Sequence, residues 1–143
     1  AEIFAGTVRH YNRGWANGFN WGIKYWEIWN EPEGIENMWS PKEGTEGLSK
    51  EELAAKRAEC RAKFVKFFVT VLKRLKGEFG DSIRVGGPAL CWMSKSYFTE
   101  LFRACKTEGI APDFISWHSY TDDPECARNA IAEARGKSGA MSR

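Results

Sequence analysis

The sequence predicts an α/β chain built on a parallel sheet, and three observations predict it. Helix-period and strand-like segments alternate in the order helix, strand, helix, strand, helix, strand, helix, and each strand–helix–strand unit is the signature of parallel pairing. Polar and aromatic residues gather where every strand ends, as Asn30-Glu31, Pro88 to Trp92, and His118 to Tyr120. No G-x-G-x-x-G or phosphate-loop pattern follows any strand, which argues against nucleotide binding. Strand spacings of about 60 and then about 30 residues fit an open doubly wound sheet or a β/α barrel. Polar residues repeated at the strand ends are how a barrel builds its active site.

Each element has a local reason. Ile3, Phe4, Val8 and Tyr11 share a helical face over residues 3–12, and Gly14 breaks it. Residues 13–22, with Gly14, Asn17, Gly18 and Gly22, read as a loop. Ile23 to Asn30 is the first strand, rich in aromatic and β-branched residues and stopped by Pro32. The loop from Glu31 to Leu48 is long, and compact domains rarely keep such loops without a use. Trp39 within it is therefore a candidate lid or subsite residue. Ser49-Lys50-Glu51-Glu52 is a capping box. It opens a helix with an apolar face of Phe64, Phe67, Phe68, Val71, Leu72 and Leu75, ended by Gly77 or Gly80. Ile83 to Gly87 is a short strand, closed by Gly86-Gly87-Pro88. The next helix starts at Ser94 or Ser96, buries Tyr97, Phe98, Leu101, Phe102 and Cys105, and stops at Gly109. Phe114 to His118 is the third strand. Asp123-Pro124 opens the last helix, with proline at its first position, and it runs to Arg135.

Composition sets the outer limits. The chain has 143 residues, 43% hydrophobic and 28% charged, which fits one folded domain. A net charge of +2 without a basic stripe gives nucleic-acid binding no support. No apolar run approaches the roughly 18 residues of a membrane helix. Cys60, Cys91, Cys105 and Cys126 form no C-x-x-C and no cluster with histidine, so no metal site is expected. They are expected as free thiols, with one disulfide left open. The chain starts without methionine inside a helical segment, shows no signal-peptide pattern, and reads as a piece of something longer.

Chemistry concentrates at Glu31. Five of the seven tryptophans lie between Trp15 and Trp39, and an indole face packs well against the apolar face of a sugar ring. A carboxylate beside a primary amide, at the end of such a strand, suits the general acid of glycosidic cleavage. Glycoside hydrolysis uses two carboxyl groups, about 5–5.5 Å apart in retaining enzymes and about 6.5–9.5 Å apart in inverting ones. Glu27 lies on the same strand face as Glu31, but four strand residues separate their backbones by roughly 13 Å. Glu27 is therefore excluded as its partner and is expected inside the barrel, paired with Arg84. Glu33, beyond Pro32, reads as a free surface glutamate. His118 and Tyr120 share a face at the end of the third strand and face a ligand there. No G-x-S-x-G pattern supports a serine-hydrolase triad.

Three segments resemble a known group of enzymes. Tyr25-Trp26-Glu27-Ile28-Trp29-Asn30-Glu31-Pro32, Val85-Gly86-Gly87-Pro88-Ala89 and Asp113-Phe114-Ile115-Ser116-Trp117-His118-Ser119-Tyr120 resemble barrel strands four, five and six of the clan A glycoside hydrolases. Within that clan the likeness is closest to family 39, which includes β-xylosidases and α-L-iduronidases. Arg9-His10-Tyr11-Asn12, Gly14-Trp15 and Asn17-Gly18-Phe19 are similar to that family's approach to strand four.

The resemblance implies a (β/α)8 barrel, a retaining double displacement, a glycoside or oligosaccharide substrate and no cofactor. Residues 1–143 would be one fragment of a single catalytic barrel, about three of its eight strands. Glu31 matches the general acid/base, Asn30 the amide on the sugar 2-hydroxyl, and His118 and Tyr120 residues that hold the sugar and orient the nucleophile. The family's nucleophile, a glutamate ending strand seven, has no match: Asp122, Asp123, Glu125 and Glu133 precede or lie in the last helix, and Gly136 to Arg143 hold no strand-like run. The intact parent is then a glycosidase with a raised Glu31 pKa, which in this chain falls back toward the ordinary value. The competing reading is a non-catalytic carbohydrate-binding remnant using Trp15, Trp26, Trp39 and Asn30.

Overall fold

The computed structural model describes residues 1–34, 38–39 and 44–138, the last three as backbone alone. Helices and strands follow one another as α1 (Glu2–Arg13), β1 (Tyr25–Glu27), α2 (Lys50–Phe79), β2 (Arg84–Leu90), α3 (Lys95–Thr107), β3 (Phe114–Trp117) and α4 (Pro124–Ser138). The strands form one parallel sheet in the order β1-β2-β3. Parallel strands in chain order, with a helix in each crossover, are the arrangement of part of a (β/α)8 barrel. Of the stretch expected to hold no strand, Gly136 to Ser138 end α4, and 139–143 lie outside the described residues.

Local chemistry sets the helix limits. Glu52 N–H donates to Ser49 Oγ at 3.2 Å and Ser49 N–H to Glu52 Oε2 at 2.8 Å, so the capping box opens α2. Gly80, with φ 53°, closes it. The end of α3 is a Schellman turn: Ile110 N–H donates to Cys105 O, Gly109 N–H to Lys106 O, and Gly109 takes φ 63°.

The core lies between α2, α3 and one face of the sheet. Phe64, Phe68, Val71, Leu72 and Leu75 are buried along α2, with Val65, Val69 and Phe79 beside them; Phe67 is half-buried. From α3 come Tyr97, Phe98, Leu101 and Cys105, and from β2 Val85 and Leu90. Arg9 of α1 grips Glu78 of α2 with two hydrogen bonds of 2.6 and 2.8 Å, which docks the first helix on the second.

The strands depart from their expected limits, each for a backbone reason. β1 ends at Glu27 rather than Asn30, because Trp29 and Glu31 adopt φ of 72° and 48° and turn the chain off the ladder. The period-two alternation that put Glu27 and Glu31 on one face stops with it. β2 runs three residues past the expected Gly87, through a cis Gly87–Pro88 bond, to Leu90. The register shifts between Gly87 and Leu90, and a bulge is where a sheet accepts proline.

Glu27 takes the expected helix-free face, which a closed barrel would turn inward, but its expected pairing is overturned. Glu27 is exposed with Tyr25, on the sheet face away from α2 and α3. Arg84 does not meet it. Paired with Tyr25 at the start of the strands, Arg84 reaches Asp81 at 3.4 Å and Asp113 at 3.9 Å.

Candidate active site

The C-terminal end of β2 sets the site, because it bonds the chain on both sides. Ala89 O accepts from Glu31 N–H at 2.9 Å, and Leu90 O accepts from His118 N–H at 2.7 Å. Ser116 Oγ accepts the Ala89 N–H at 2.9 Å, so the bulge leaves this donor satisfied. One irregular strand end thereby fixes the backbones of two residues 87 positions apart.

Their side chains meet. His118 Nδ1 lies 2.6 Å from Glu31 Oε1, and Tyr120 Oη donates to the same oxygen at 3.2 Å. An ionised carboxylate only accepts, so Nδ1 carries the hydrogen in that bond. The Tyr120 hydroxyl is also 3.3 Å from His118 Nδ1, which closes a triangle of three polar groups. The Glu31 and His118 side chains are 30% and 32% exposed, enough for a ligand to reach them.

Hydrogen bonding decides the charge of Glu31. The His118 contact holds its carboxyl below the ordinary carboxylate value; burial opposes this, and Tyr120 and the Cys91 thiol reinforce it. The value in this chain therefore goes past the ordinary one expected from sequence, to below it. Tyr120 shifts up in turn, because the Glu31 charge accepts its hydroxyl hydrogen.

Glu33 is not the surface residue that its loop position suggests. Its Oε1 accepts the Cys91 N–H at 2.8 Å, and its Oε2 is buried without a hydrogen-bond partner. Burial raises its pKa, with the Glu31 charge adding to the effect. The sequence offered no signal for this, since the partner is 58 positions away. The Cys91 thiol, also overlooked, is pushed up to about 11 by burial and by the charges of Glu33 and Glu31.

The other expected residues stand apart from the triangle. Asn30 is exposed beside Glu31. Trp39 is half-buried against Trp29, Phe64 and Phe67, at ring-centroid distances of 5.7, 5.4 and 5.0 Å. It also lines an open groove of about 800 Å³ with Pro32, Glu33, Trp92 and Tyr97. Trp26 is half-buried against the core, and its indole N–H donates to Ile23 O at 3.0 Å. Trp15 and Trp92 are exposed. Among the described residues no group of histidine, cysteine or acidic side chains could hold a metal ion, and no helix is long and apolar enough to cross a membrane.

No family model and no solved structure matches the chain. It is 27% identical over 101 residues to a β-xylosidase of Geobacillus stearothermophilus, an alignment that covers 69% of this chain and 16% of that protein. The chain thus spans a small part of that relative's length, and the likeness is a distant one to a glycosidase.

Proposed function

We propose that residues 1–143 are part of the catalytic barrel of a retaining, β-xylosidase-like glycoside hydrolase of clan A, closest to family 39, in which Glu31 is the general acid/base. The observation that carries this reading is the triangle of Glu31, His118 and Tyr120 at the C-terminal strand ends, in a chain distantly similar to a β-xylosidase. Glu31 would protonate the leaving-group oxygen in the first step and take a proton from water in the second. His118 and Tyr120 stabilise its ionised form, the form that the second step requires. Asn30 would bond the sugar 2-hydroxyl, and Trp39 would border the substrate groove.

The nucleophile would come from the parent outside these residues. Glu33 does not serve, because its carboxyl is turned onto the Cys91 backbone. The 143-residue chain alone is therefore expected not to hydrolyse an aryl xyloside, and reproducible turnover by it sinks the fragment reading.

Leaving-group dependence in the full-length parent tests the role of Glu31. Removing an acid slows substrates with poor leaving groups far more than those with good ones, by about 10²–10⁴-fold. Glu31→Ala is expected to show that split; equal losses on both substrates would refute it.

A carbohydrate-binding remnant is the second reading, favoured by the exposed Trp92 next to Cys91 at the strand end. The half-buried Trp26 and Trp39 serve it less well. Saturable shifts of the Trp92 indole signal with xylo-oligosaccharide, together with a parent that lacks turnover, would select it.

A further inference from the structure

We infer that Glu33 and Cys91 are positioning residues for Glu31: Glu33 anchors the Cys91 main chain, and that anchor holds the Cys91 thiol against the Glu31 carboxylate. The inference rests on the reading of Glu31 as the acid/base.

The geometry that carries it is a short turn fastened at both ends. Gly34 N–H donates to Glu31 O at 2.9 Å across Glu31-Pro32-Glu33-Gly34, a turn with proline at its second position and glycine at its fourth. At one end, Glu31 N–H donates to Ala89 O; at the other, Glu33 Oε1 accepts from Cys91 N–H. The turn and the end of β2 are thereby held face to face. A Cβ on Gly34 would lie 3.0 Å from Glu31 O and 3.4 Å from Cys91 Sγ, so the thiol lies beside the turn. The same Cβ would lie 3.3 Å from Glu31 Cβ, so the thiol and the Glu31 side chain flank one point, and the thiol helps to lower the Glu31 carboxyl. The thiol stays protonated through the range in which a carboxyl titrates, and so remains a donor throughout.

Among the described residues, four titratable groups face Glu31: His118 and Tyr120 after β3, Cys91 after β2, and Glu33 on its own turn. Replacing Glu33 alters both a charge and an anchor, and the two must be separated. Glu33→Gln removes the charge and keeps an oxygen acceptor for Cys91 N–H; Glu33→Ala removes both.

A double-mutant cycle on the 143-residue chain reads the anchor without turnover. The Glu31 carboxyl is titrated by carbon-13 NMR in both Glu33 variants, each with Cys91 and with Cys91→Ala. The Glu33→Ala midpoint is expected above that of Glu33→Gln when Cys91 is present, and equal to it when Cys91 is alanine. A difference that persists without the thiol, or none with it, overturns the inference. If Glu33→Ala fails to fold, Cys91→Ala against Cys91→Ser decides: the midpoint must rise in the first and be restored in the second. Failure here leaves the leaving-group test of Glu31 in the parent untouched, so the two ideas fall separately.

Discussion

His118 Nδ1 and Glu31 Oε1 are 2.6 Å apart, joined across β2, whose end bonds the main chain of both residues. The contact is set by backbone hydrogen bonds to consecutive carbonyls, Ala89 and Leu90, so it depends little on flexible side-chain packing. Removing the imidazole is expected to raise the Glu31 midpoint. The folded value is depressed, so the contribution of the cluster to stability is complete above the ordinary carboxylate value and disappears as pH falls through the folded one. A carbon-13 titration of His118→Ala checks this, and an unmoved Glu31 midpoint would assign the depression elsewhere. In the full-length parent, where a second carboxylate is proposed nearby, Glu31 should titrate higher than in this chain.

Acid should loosen the α1–α2 contact. Glu78 is lowered from 4.5 to about 2, first by its bonds to Arg9 and then by Arg74. Its ion pairs therefore stabilise the fold fully above pH 4.5 and weaken as pH falls towards about 2. Urea midpoints followed from pH 5 to pH 2.5 should fall more steeply in the natural chain than in Glu78→Gln. Parallel slopes would show that these pairs contribute nothing across that range.

A single methyl group at Gly86 should separate β2 from β3. Its Cβ would overlap the Phe114 carbonyl oxygen and lie 2.7 Å from Phe114 Cγ, in the register where the two residues are partners. Overpacking of this kind costs about 1–3 kcal/mol. Gly86→Ala is expected to lose that much in urea unfolding and to weaken the His118–Glu31 coupling, seen as a higher Glu31 midpoint.

Leu72 tests the core directly. It is fully buried on α2, and Leu→Ala at such a site costs about 2–5 kcal/mol. Urea unfolding of Leu72→Ala should show that loss without a change in the Glu31 titration, since Leu72 lies on the helix side of the sheet.

What the sequence disclosed divides by distance along the chain. The capping box of Ser49 and Glu52 and the apolar face from Phe64 to Leu75 depend on neighbours within a few residues, and they read directly. That Glu31, His118 and Tyr120 lie at one end of the sheet followed from strand-end placement; the bond of His118 to Glu31, 87 positions apart, did not. The turn of Glu33 onto Cys91 did not, because a loop carboxylate carries no local sign of a backbone donor 58 positions away. Strand limits failed where non-glycine residues take positive φ, at Trp29, Glu31 and Ala89. Those three sit around the site, and strain of this kind gathers where function fixes a backbone.

The Asn12 side chain has a consequence of a different sort. Its amide donates to Ile23 O and accepts from Ile23 N–H, both at 2.8 Å, as a neighbouring strand would. Lys24 and Ile28 turn their main-chain groups to β2, so Ile23, Tyr25 and Glu27 face the open side. With Ile23 occupied, the border of β1 left free among the described residues shrinks to Tyr25 and Glu27, one carrying a bulky ring and the other a charge. A fibril or a stray strand would need a longer template than that. In the described residues Asn12 thus narrows the stretch of β1 open to another strand.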